Sequence, residues 1–186
     1  METNQINKTN FDLDKLVKGL EKEDSRNLKI SSNFTILMWV LSPFYFFLAI
    51  VGLIINNPSI DQLGFFFFSL GFLAFGFLFK SLQKDYKSVD YGIPTIEMLR
   101  NAAKRYKLWQ LKTYLIIIPV ALISVAASLT IQKGIPHTDL TMRLLIVFSG
   151  YILLNIIGFF IGYLIWRKRQ KPLRDKALQL LAEIEK

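Results

Sequence analysis

The stretch KSLQKDYKSVDYGIPTIEMLRNAAKRYKLWQLK, Lys80–Lys112, divides this chain and decides how the rest is read. It is dense in lysine and arginine. On either side lie two runs without a single Asp, Glu, Lys, Arg or His: Phe34–Ile55 and Leu63–Phe79 before it, Tyr114–Ile131 and Leu144–Trp166 after it. A helix rising 1.5 Å per residue needs about 20 apolar residues to cross roughly 30 Å of hydrocarbon, with about 17 as the lower limit. All four runs meet that requirement, so the stretch reads as a polar connector between two membrane hairpins.

Composition agrees with segregation along the sequence. The 186 residues are 52% hydrophobic and yet carry a formal charge of +9, a combination a soluble domain would not combine with a mean hydropathy of +0.35. The expected class is all-α, a polytopic membrane protein with four transmembrane helices. Its expected parts are a segment over residues 1–32 with a short amphipathic helix, a first hairpin over 33–79 and the basic connector over 80–112. A second hairpin over 113–166 and a C-terminal helix over 167–186 follow. The run at Phe34–Ile55 is too long and too far from the start for a secretory signal and is expected to stay as an anchor. There is no cysteine, which removes disulfides and thiolate metal sites.

Sidedness follows from charge. Of the 23 lysines and arginines, all but Lys133 and Arg143 fall in the N-terminal segment, the connector or the C-terminal segment. Positive residues in short loops mark the cytoplasmic side. Both termini and the connector are thus expected in the cytoplasm, and short loops with an Ile-, Lys- and Asn-rich composition point to a bacterial inner membrane.

Outside the spans, three apolar stripes recur at helical spacing. Leu13, Leu16, Val17 and Leu20 form one, with Asn10 as the expected N-cap. Ile96, Leu99, Ala103, Tyr106 and Trp109 form another, on a helix expected from Pro94 to Trp109 after a tether over Lys80–Gly92. Leu173, Ala177, Leu180, Leu181 and Ile184 form the third, on a tail helix expected to start at Pro172. Arg100, Lys104, Arg105 and Lys107 surround Tyr106 and Trp109 on the connector. A helix lying in the headgroup layer needs rings at the interface and cations on phosphates, so these six residues are the expected contact with anionic lipid or a cytoplasmic protein partner. The acidic N-terminal helix and the basic connector also have opposite charge, which would let them dock into a small cap.

Within the spans the signals concern packing. Gly71 and Gly76 belong to a small-residue pattern among the phenylalanines of the second span. Gly158 and Gly162 make a G-x-x-x-G in the fourth, continued by Asn155 and Tyr151, and are the expected face for helix contact or for a homo-oligomer. Pro43, beside Ser42, is expected to kink the first span.

Chemistry is expected to be absent. Proton-coupled transport and intramembrane proteolysis leave ionisable residues in the spans, and these spans have none. His137 beside Asp139 lacks partners for a metal, and Asp85, Asp90 and Glu97 are scattered. No cofactor, no metal and no nucleic acid is expected, since no nucleic-acid module accompanies the basic residues. The expected function is a non-enzymatic regulatory or assembly role exercised through the cytoplasmic helices. The alternative is a small transporter or channel subunit acting as an oligomer, with a midplane cavity lined by Ser124, Ser128 or Asn155.

Overall fold

A computed structural model describes residues 2–55, 60–131, 135 and 139–185, with side chains from 13 onward apart from 60. His137 and most of the turn around it lie outside the described residues. The described residues form six helices: α1 Glu2–Ile54, α2 Ile60–Lys87, α3 Thr95–Arg105, α4 Leu111–Leu115, α5 Ile117–Ile131 and α6 Leu140–Ile184. Four helical stretches are long and apolar enough to cross a membrane: Leu13–Ile54, Asp61–Lys87, Leu111–Ile131 and Leu140–Ile184. The protein is an all-helical, multi-pass membrane protein.

The helix ends differ from those that sequence periodicity indicates, and three of the helices are longer. α1 begins at Glu2, not Asn10, and runs unbroken through the polar residues Glu21–Ser32 into the first span. α2 continues past Phe79 to Lys87, so the first part of the expected tether is helix. α3 stops at Arg105 instead of reaching Trp109. Its end is held by Gln110, whose Nε2 lies 2.7 Å from the Arg105 carbonyl and 2.8 Å from that of Lys107. α6 passes through Pro172 without stopping, making the fourth span and the tail one rod of 45 residues. A proline removes only one backbone donor, and cooperative helix on both sides can carry the chain through it.

Packing in the apolar layer is built by α1, α2 and α5. α1 and α2 run antiparallel, with Phe34 stacked on Phe79, Ser42 beside Ser69 and Gly52 against Gln62. Pro43 lies within α1, and the neighbouring Ser42 hydroxyl donates to the Ser69 carbonyl at 3.0 Å. Tyr45 sits among Phe65, Phe68 and Phe72. The opposite side of α2 meets α5 at its small residues. A Cβ on Gly64 would fall 2.5 Å from Thr130 Cγ2, and one on Gly71 would fall 2.6 Å from Ile123 Cγ1. Glycine is required there because the two backbones approach too closely for a side chain. α6 is different: its only buried residues, Ala177, Leu180 and Leu181, belong to its tail.

Candidate interaction site: a helical cap above a lateral groove

Outside the apolar layer, the start of α1, helix α3 and the tail of α6 pack into one small core. Leu16 and Leu20 come from α1, Met98, Leu99, Ala102 and Tyr106 from the connector, and Ala177, Leu180 and Leu181 from α6. Each helix contributes one narrow stripe, and none could bury it alone. Three stripes that read separately in the sequence thus cover one another in part; their members Ile96, Trp109 and Ile184 stay exposed.

The cap is tied together by a buried carboxylate. Asp24 is only 4% exposed. The Tyr91 and Tyr106 hydroxyls donate to its two oxygens, both at 2.5 Å. Arg105 donates to the same pair through Nε at 3.2 Å and Nη2 at 2.6 Å. A charge removed from water is tolerated only when paired and hydrogen-bonded, and Asp24 has four donors. Burial, followed by the hydrogen bond to Asp24, pushes the Tyr91 and Tyr106 hydroxyls well above their ordinary pKa of 10.0. Next to Asp24, Glu23 is also buried and faces Arg26 of its own helix at 3.6 Å and Arg169 of α6 at 3.4 Å. Adjacent carboxylates on α1 therefore hold the connector with one and α6 with the other.

The expected contact residues separate into two groups. Arg105 and Tyr106 are turned into the cap, Arg105 on Asp24 and Tyr106 only 1% exposed. They bind the protein's own acid where a headgroup or partner was expected. Tyr106, the C-cap of α3, lies seven residues after Leu99 on the same buried face, which turns it inward. Lys104 and Lys107 are exposed, and Arg100 is surface-paired with Glu185 at 3.0 Å. Trp109 lies beyond α3, half exposed, and its ring stacks on Tyr114 and tilts against Phe159 of α6.

The packing residues also divide. Gly71 is pressed on Ile123 and Gly76 lies against Trp39, whereas among the described residues nothing comes within 4 Å of a Cβ at Gly158 or Gly162. Asn155, expected to bond across helices, donates to the Tyr151 carbonyl of its own helix at 2.8 Å. Ser124 and Ser128 likewise bond back to the carbonyls of Val120 and Ser124.

The glycine face of α6 instead forms one wall of a groove. A cavity of about 740 Å³ lies between α6 and the α4–α5 segment, lined by Trp109, Tyr114, Ile117, Tyr151, Asn155, Gly158 and Phe159 among others. A second, smaller cavity of about 270 Å³ includes Asp85, Tyr86, Arg105, Lys107, Gln110, Lys112, Gly162 and Trp166. Thr113 and Ile116 line both. Lys112 there is paired with Asp85, and the Trp166 ring nitrogen donates to the Tyr106 carbonyl at 3.0 Å, joining the groove to the cap.

The remaining acids do not meet. Asp90 accepts from the Gly92 amide at 2.7 Å, Glu97 lies in the first turn of α3 and Asp139 precedes α6 at its other end. Among the described residues no three His, Cys, Asp or Glu side chains could hold a metal ion.

Sequence could have suggested Asp24 only through its acidic surroundings, because a charged residue in a polar segment ordinarily reads as solvated. Fold and site define a class, multi-pass membrane proteins whose polar segments pack into a helical cap. No family model matches the sequence, and no curated protein or solved structure is detectably similar to it.

Proposed function

We propose that the chain is a non-enzymatic integral protein of the bacterial cytoplasmic membrane, arranged as two hairpins with the cap and both termini in the cytoplasm. Its role is regulatory or in assembly, exercised where the cap meets an anionic surface of lipid headgroups or of an acidic protein partner. The positive charge at the three polar segments supports the sidedness. The observation that carries the functional reading is the mutual burial of the three stripes. A cap that buries most of these stripes keeps only scattered apolar side chains such as Ile96, Leu178 and Ile184 for a helix-in-groove partner. Among the residues it leaves outside are the cations Lys84, Lys87, Lys104, Lys107, Arg167 and Lys168, interspersed with acids such as Asp90, Glu97 and Glu183. About 1 kcal/mol per basic residue near an anionic surface makes such a cluster adhesive without any deep pocket.

The test places a photoreactive residue at Asn101, exposed on α3. Cross-linking to a protein or to lipid is expected in the otherwise native chain and is expected to disappear when Arg100 and Lys104 are replaced by Gln. Persistence of the same cross-links in that variant would show that these charges do not make the contact. With no cysteine in the sequence, single cysteines at Lys84, Lys104 and Asp61 then test the topology. The first two should be labelled from the side opposite to the third.

A further inference from the structure

From the groove between α6 and α4–α5, we infer that this protein holds one anionic phospholipid, with an acyl chain against the glycine face of α6 and the phosphate beside Lys107. The inference deepens the proposed function by assigning a lipid class and a place for it, and it rests on that reading for the orientation of the cap toward the anionic leaflet.

Four observations converge. The first is length: from Tyr151 to Gly162 the groove wall rises roughly 16 Å at 1.5 Å per residue, close to the roughly 15 Å of one leaflet's hydrocarbon. The second is surface: the wall is bare where Gly158 and Gly162 stand, with nothing within 4 Å of either Cβ position. Phe159 and Trp109 flank it. Asn155 also lines it, with its Nδ2 donating to the Tyr151 carbonyl of its own helix.

The third observation is continuity. The apolar cavity and the polar one adjoin at Thr113 and Ile116, which line both, so the basic end of the connector lies next to the apolar trough. The fourth is charge. In the polar cavity Arg105 is paired with Asp24 and Lys112 with Asp85. Among the described residues Lys107 is left without an ion pair, exposed at the rim. An apolar trough one leaflet deep with a single free cation at its mouth matches a lipid that carries a net negative headgroup. A second copy of the chain, packed through the same glycines, would have no use for the cation.

The full chain is purified in mild detergent and returned to nanodiscs of mixed phosphatidylglycerol and phosphatidylcholine, and retained lipid is counted by native mass spectrometry. One phosphatidylglycerol per chain is expected to survive activation. Gly158→Phe, which fills the trough, should remove it. Lys107→Gln should lower the preference for phosphatidylglycerol about fivefold, the effect of about 1 kcal/mol for one basic residue. Inorganic phosphate should not displace the lipid, since it lacks the chain. A photoreactive acyl chain on the native protein, which needs no variant, should mark peptides around Trp109 and Phe159. Equal retention of both lipids, displacement by phosphate, or labelling elsewhere would overturn the inference. So would a Gly158→Phe protein that keeps its lipid but changes from dimer to monomer. Arg100 and Lys104 lie outside the groove, so persistence of the Asn101 cross-links in their Gln variant, with lipid retention intact, would count against the proposed surface contact and leave the lipid site standing.

Discussion

At the scale of single residues, Asp24 concentrates the chemistry of the cap in one carboxylate. Asp24→Asn keeps the shape and removes the charge, leaving Arg105, 16% exposed, without its counter-ion. Breaking such a pair costs about 3 kcal/mol, the lower end for buried ion pairs, because Arg105 keeps some contact with water. Hydrogen exchange of α3 amides is expected to accelerate in that variant while amides in the apolar layer of α2 remain protected. The two tyrosines add a pH dependence whose sign is fixed. Their folded pKa values are raised above 10.0, so the native cap keeps protons that an unfolded one would release. Their contribution is complete below pH 10 and is lost as pH rises through the higher folded values. Tyrosinate absorbance should therefore lag behind that of free tyrosine in alkaline titration, and Asp24→Asn should reduce the lag.

At the scale of elements, the glycines give the sharpest contrast. Gly64→Ala puts a methyl group onto Thr130 Cγ2 and 3.2 Å from the Ala126 carbonyl, and overpacking of this kind costs roughly 1–3 kcal/mol. Gly162→Ala meets nothing and should stay within about 0.5 kcal/mol of the native protein. Thermal unfolding in detergent of the two variants side by side checks both. Four apolar helices and the buried members of the stripes, such as Leu16, Leu99 and Leu180, were legible because hydropathy and periodicity are local properties of the chain. Where helices end was not, because α1 crosses Glu21–Ser32 and α6 crosses Pro172 with support from partners far away in sequence. Gly158 and Gly71 look alike in the sequence; only the partner, present at Ile123 for one and missing for the other, tells them apart. Arg105 and Lys104 are neighbours with the same charge, and the turn of α3 sends one to Asp24 and the other to solvent.

At the scale of the whole molecule, the cap joins parts of the chain that lie at its beginning, middle and end. Removing residues 172–186 takes away Ala177, Leu180 and Leu181, and with them a third side of the core around Leu20 and Leu99. The shortened protein should still insert, because its four apolar runs are intact, but limited proteolysis should cut within α3 at protease concentrations that spare the native cap. The same arrangement bears on how the protein is made. The α6 tail is the last of the three cap helices to leave the ribosome, so Leu16, Leu20 and Leu99 lack the α6 side of their core throughout translation of both later spans. A chain whose synthesis stops before the tail is therefore expected to expose more of that apolar patch than the native protein does, and the core that stiffens the protein is completed only by its last helix.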